Sequence, residues 1–238
     1  MNLYDGLIKD IFKVLANYPM KKLDNKPLAW DINNKNVFLL DKEMAYELGG
    51  YPKDSVNIII QSDNQFIDDG IYFICPNGFD INLLEKQRHL SFGKIVLLKT
   101  KNLDENNIYD FTQKTLIKDT KAYFNDVMTR ASSKHYFINY KVSKKAIKEG
   151  FDIYKMASAI HSSYLDIDEV VNCAVIILLG DMNIYKELLP LAEKNKEISI
   201  ALNHIFDGVN MDCKSCDMTD ICDEIKELRA IHKKQQKG

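Results

Sequence analysis

The stretch EVVNCAVIILLG, residues 169–180, contains the longest apolar run of the chain, CAVIILLG. A membrane helix needs roughly 20 such residues, so this run is far too short to span a bilayer. Its length, its β-branched residues and the glycine that closes it read as a buried strand. Two other runs share its character: GIYFICP (70–76) and GKIVLLK (93–99) are apolar, β-branched and bounded by turn residues, as central strands are. NVFLL (36–40), SVNIIIQS (55–62) and HYFINYKV (135–142) complete the set of strand candidates.

Helical spacing separates these runs. Leu3, Leu7, Ile8, Ile11, Phe12 and Leu15 predict a helix over 2–17 that Pro19 closes. DKEMAYELGG (41–50) reads as a helix opened by Asp41 and stopped by Gly49 and Gly50. Residues 106–130 form the longest helix candidate, with Ile108, Phe111, Thr115, Leu116, Tyr123, Val127 and Met128 facing inward. Ser143 is positioned to cap a short helix, KKAIKE, and Asp152 a longer one, IYKMASAIHSSY. A further helix runs from Asp181 to about Asn195, and a last one from Asp220 to about Lys233.

Roughly six strands interleaved with about eight helices imply an α/β (mixed α+β) fold, a mixed sheet with helices on both faces. A small helical, cysteine-containing segment follows it, which divides the chain into an α/β domain (1–207) and a C-terminal segment (208–238).

The charge balance of 32 basic and 34 acidic residues is mixed along the chain, so no field favours nucleic acid or a membrane surface. Residues 1–30 match neither a secretory nor a transit peptide, and the expected location is cytoplasmic. The Gly49–Gly50 pair leads into YPKDS, which is no phosphate-binding loop. Asp68 and Asp69 precede Gly70 as turn residues, and no serine, cysteine or histidine arrangement suggests a nucleophilic triad. His161 reads as a structural histidine at a helix end, and Lys144, Lys145 and Lys148 as a solvated basic face able to meet phosphates.

Chemistry concentrates in NMDCKSCDMTDICDEI, residues 210–225, which holds three of the five cysteines. An odd count with three members clustered argues against a disulfide framework and for metal capture in a reducing compartment. Cys213 and Cys216 form a Cys-x2-Cys pair whose sulfurs can converge on one centre, and Cys222 follows. With Asp220 as N-cap, Cys222 falls in a first helical turn, where the macrodipole favours a thiolate by up to about 1 kcal/mol. Cys213, Cys216 and Cys222 are therefore candidate metal ligands, for an iron-sulfur cluster of the 4Fe-4S type or, alternatively, for zinc. Zinc wants a fourth ligand, and His204 and His232 are the nearby candidates. Cys75 and Cys173 read as small core residues, and Cys222 can also be read as the buried face of a helix with Ile225 and Leu228.

The order of several motifs resembles the middle region of acetyl-CoA synthase, the β subunit of the carbon monoxide dehydrogenase/acetyl-CoA synthase complex. The passages that carry the resemblance are MAYELGG, DDGIYFICPNGFDI, YFINYKVSKKAIKEGFDIYKMASAIHSSY and DEVVNCAVIIL, between about residues 37 and 182. The resemblance implies an iron-sulfur protein of an anaerobe, linked to one-carbon and acetyl-CoA metabolism. Cys213, Cys216 and Cys222 stand where that family holds the iron-sulfur part of its nickel-containing cluster. The sequence has no Cys-Gly-Cys motif for the distal nickel and only three arginines, at 88, 130 and 229, and Trp30 lies outside the matched passages. The expected role is accordingly electron transfer, or contact with a protein partner in a CO dehydrogenase/corrinoid protein system, and not the complete acyl-transfer reaction. The alternative is a non-enzymatic interaction or regulatory module holding a structural zinc or no metal.

Overall fold

The computed structural model describes residues 3–24, 38–50, 53–78, 87–120, 125–130, 137–206 and 216–235. Among the described residues, nine strands lie in two mixed sheets. They are β1 (Met20–Lys22), β2 (Met44–Leu48), β3 (Ser55–Ser62), β4 (Gly70–Ile74), β5 (His89–Leu90), β6 (Phe92–Thr100), β7 (Val127–Arg130), β8 (Asn139–Ser143) and β9 (Val170–Leu179). Seven α-helices accompany them among the described residues: α1 (Asp5–Leu15), α2 (Ile108–Thr120), α3 (Lys144–Lys148), α4 (Ile153–Leu165), α5 (Ile184–Phe206), α6 (Thr219–Glu224) and α7 (Lys226–Gln235).

The run EVVNCAVIILLG forms β9, the middle strand of a five-stranded sheet ordered β1-β4-β9-β6-β3. It pairs parallel with β4 and antiparallel with β6, and residues 173–179 are fully buried. Burial on both faces explains an unbroken apolar run in place of an alternating pattern. The register puts Phe73 and Gly93 on opposite faces, because Phe73 pairs with Ile177 and Gly93 with Leu178. Phe73 meets Tyr154 of α4 edge-on at 5.1 Å, while a Cβ at Gly93 would stand 3.2 Å from Tyr185 of α5. Helices thus cover both faces.

The second sheet, ordered β5-β2-β8-β7, was expected to be part of a single one. Side-chain contacts join it to the first. Ser55 donates its hydroxyl to the Ile138 carbonyl (2.6 Å) and accepts from the Ile138 amide (3.0 Å), and the Phe92 and Tyr140 rings meet edge-on at 5.7 Å.

Several local expectations change. Residues 41–50 are not a helix: a single 3-10 turn (Asp41–Glu43) leads into β2, whose Met44, Tyr46 and Leu48 alternate into the core. Pairing with β5 and β8 overrides the local helical signal. Gly49 is needed for another reason than a helix cap: it has φ +72°, and a Cβ there would lie 2.2 Å from the Ile138 carbonyl oxygen. The long helix expected over 106–130 is instead α2 and, further along, β7, with Asp126 at φ +58° in the turn just before that strand. Helix α5 continues through Pro190 to Phe206, because Leu188, Ala192, Ile198, Ala201 and Leu202 extend its buried stripe. The last helix is two, broken at Ile225. Of NVFLL, residues 38–40 form no strand and the rest lies outside the described residues. The caps at Ser143 and Asp152 form as expected, accepting from the amides of Ala146 (2.9 Å) and Lys155 (2.7 Å).

The expected boundary at 207–208 also lies outside the described residues. Beyond it, α6 and α7 pack on α5, contributing Ile221, Leu228 and Ile231 to the same core, with ion pairs Lys194–Glu224 and Lys234–Glu105. Among the described residues no helix is long and apolar enough to cross a membrane.

Candidate metal centre

Helix α5 carries its buried stripe to the last turn, and that turn presents His204 toward the segment that precedes α6. There Cys216 and Asp217 complete a group: one ligand atom each from His204, Cys216 and Asp217 lies within 4.8 Å of the other two. The histidine and the cysteine are half-buried and the aspartate is exposed.

Local hydrogen bonds fix the cysteine. The Met218 amide donates to Cys216 Sγ at 3.4 Å, and the Thr219 hydroxyl donates to the Cys216 carbonyl at 2.7 Å. The Nδ1 atom of His204 is buried and meets no hydrogen-bond partner among the described residues. A buried ring nitrogen without a partner is costly, and coordination of an ion at the imidazole would fix the tautomer and resolve that cost.

The candidates from the sequence separate accordingly. Cys216 is in the group, and so is His204, which entered the sequence reading as a possible fourth zinc ligand. Cys213 lies outside the described residues. Cys222, on α6, packs against the hydrophobic core beside Ile225, and neither it nor His232 of α7 is one of the three converging residues. Asp217 had no part in the sequence reading; its signal was its position directly after Cys216. Asp220 does not act as the N-cap, since α6 begins one residue before it and Met218 occupies the cap position.

No protein-family model matches the chain, and no curated protein matches it.

Elsewhere the titratable groups are tied into the fold. Cys173 is completely buried, and burial pushes its thiol pKa far up, with Asp69 adding to the effect. Cys75 is half-buried with its pKa raised by desolvation, against which Lys21 pulls. His161, 5% exposed, has Nε2 3.3 Å from Asp69 Oδ2, while Asp69 Oδ1 accepts from the Cys173 amide at 2.9 Å. Lys144, Lys145 and Lys148 are exposed, and Lys145 pairs with Asp126 at 2.8 Å.

Proposed function

We propose that this chain is a metal-binding protein whose centre lies where α5 ends and α6 begins, with His204, Cys216 and Asp217 as ligands to a single divalent ion. The observation that carries this reading is the convergence of one nitrogen, one sulfur and one oxygen donor, each from a different side chain. Imidazole, thiolate and carboxylate together suit zinc better than magnesium or calcium, which prefer oxygen alone. An ion there would fasten the α6–α7 segment to α5, so occupancy would govern how firmly the C-terminal helices are held.

The reading carried by the resemblance to acetyl-CoA synthase is a proposal of the same kind. In it Cys213, Cys216 and Cys222 hold a 4Fe-4S cluster, and the protein serves electron transfer or contacts a CO dehydrogenase or corrinoid partner in anaerobic one-carbon metabolism. What favours it is the Met218 amide donating to Cys216 Sγ, the kind of backbone hydrogen bond that tunes cluster sulfurs.

Metal and acid-labile sulfide analysis of anaerobically purified protein separates the two. A colourless protein with about one zinc per chain supports the single ion. A brown protein with about four irons and as many sulfides supports the cluster. His204→Gln should strip the zinc while sparing a cluster, and Cys216→Ala should remove either. A chain that takes up none of these metals, as purified or after reconstitution, overturns both.

A further inference from the structure

A cleft runs along the β1 rim of the large sheet, and none of His204, Cys216 and Asp217 lines it. Its volume of about 460 Å³ falls within the roughly 300–1,000 Å³ of small-molecule sites. Three parts of the chain form it: β1 with Pro19 before it and Leu23 after it, the end of β4 continuing into residues 76–78, and the first turn of α4. In open α/β sheets ligands gather in the crevice outside the carboxyl ends of the strands, and β4 has β9 as its parallel neighbour.

Strand register sorts the side chains around it. β1 and β4 run antiparallel with Lys21 opposite Phe73, and residues directly opposite share a face. Cys75, two residues beyond Phe73, continues that face. Phe73 meets Tyr154 of α4 edge-on at 5.1 Å, so an ammonium stem, a thiol and two rings border one space. Lys22 pairs instead with Tyr72 on the opposite face, and its ammonium stands 5.5 Å from the centroid of that ring. Of the two neighbouring lysines, one is engaged in a cation–π contact and the other is left to the cleft.

The charges can be accounted for one by one. Among the described residues no carboxylate lines the cleft. Its remaining polar side chains are neutral: Asn77 is an amide, and burial raises the pKa of both the Cys75 thiol and the Tyr154 phenol, the latter helped by Cys75 and then by Asp152. Lys21 pulls the Cys75 value the other way, in keeping with an ammonium on the cleft side of β1. Asp152 is already occupied, accepting from the Lys155 amide at 2.7 Å and facing the Lys155 ammonium at 3.8 Å. Lys21 itself forms no ion pair among the described residues. One positive charge thus stands unneutralised beside a wall built of two rings and of Pro19, Leu23 and Pro76.

We infer that this cleft binds a flat organic anion with a single negative charge, of which an aryl carboxylate is the simplest, its carboxylate at Lys21 and its ring against Phe73 and Tyr154. A cation would be repelled by Lys21, and a neutral ring would leave the ammonium without a counter-charge. A second negative charge would find no second ammonium, because that of Lys22 lies over Tyr72. Rings gain edge and face contacts beyond the area they bury, which favours a flat body over a puckered one. The site is independent of the metal reading, because none of the three proposed ligands lines it.

The test is calorimetric titration of the full chain with naphthoate, its neutral counterpart naphthamide and its saturated counterpart decahydronaphthoate. Naphthoate should bind at one site, about fivefold more tightly than either of the others. Lys21→Gln should abolish the preference for acid over amide and leave the affinity for the amide unchanged, since β1 is exposed and only a charge is removed. Tyr154→Leu should abolish the preference for the flat acid over the saturated one. Cys216→Ala should change none of the three affinities. Equal binding of acid and amide, an acid preference that survives Lys21→Gln, saturated acid bound as tightly as flat, or no saturable binding at all would overturn the assignment. Should Tyr154→Leu fail to fold, the three ligands compared on the unaltered chain and on Lys21→Gln decide the matter.

Discussion

Cys173 and Cys216 bear the same thiol in opposite surroundings. Cys173 sits in the middle strand of the large sheet, sealed by apolar neighbours, its amide held by Asp69. Cys216 sits at a helix junction, half-buried, with a backbone donor on its sulfur and an imidazole and a carboxylate close by. In the first place the thiol acts as a small hydrophobe and its stability contribution is shared with dozens of contacts. In the second, very little apolar area is at stake and the chemistry depends on three converging atoms. Stability is delocalised in the sheet, whereas the proposed capacity to hold an ion rests on the few atoms that converge at the junction.

Substitutions can break this contrast in graded steps. The largest effect is expected from Asp119→Ala, which leaves the Lys94 ammonium buried without its carboxylate; loss of one partner from a buried pair costs about 3–5 kcal/mol. Urea unfolding should show that loss, while the metal content of the folded fraction stays unchanged. Gly93→Ala comes next. Its Cβ would meet Val56 Cγ1 at 2.7 Å and Leu178 Cδ1 at 2.9 Å, and overpacking of this kind costs about 1–3 kcal/mol. Cys216→Ala inverts the pattern: the metal-free protein should lose under about 1 kcal/mol of stability, yet metal uptake, read by elemental analysis, should vanish.

The smallest effect sharpens the contrast through pH. Hydrogen bonding from Lys53 (2.6 Å), then from Ser91 (2.6 Å), holds the Asp181 carboxyl below the usual range. A depressed carboxylate stabilises the fold fully above its unfolded pKa of about 3.9 and loses that contribution as pH falls through the lower folded value. The urea midpoints of the unaltered chain and Asp181→Asn should therefore differ by a constant amount near neutrality and converge in acid. Parallel curves at all pH values would show that the Lys53 and Ser91 contacts do not form.

The sheet was legible in the sequence wherever hydrophobic periodicity spoke alone. β3, β4, β6 and β9 fall within one or two residues of their apolar runs because burial on both faces leaves an unbroken signature. MAYEL misled because its helix-forming residues are made into a strand by β5 and β8, which come from distant parts of the chain. At β7, a left-handed aspartate redirects the backbone where an apolar period alone suggested more helix. At the candidate centre, Cys216 was visible from its spacing and His204 from its proximity in sequence. Asp217 was not, since an acidic residue next to a cysteine carries no periodic mark; only the approach of α5 gives it a role.

The two rims of the large sheet are guarded differently. β1 is only three residues long, exposed throughout, and two of the three are lysines, whereas β3 on the opposite rim is buried along most of its length, with α5 packed on it and Asn195 donating to the Ile59 carbonyl. A stubby, positively charged border is a poor template for another chain's backbone. Addition of a neighbouring copy, strand against strand, is thereby discouraged at both margins, and the very apolar interior of this sheet is kept from seeding fibres.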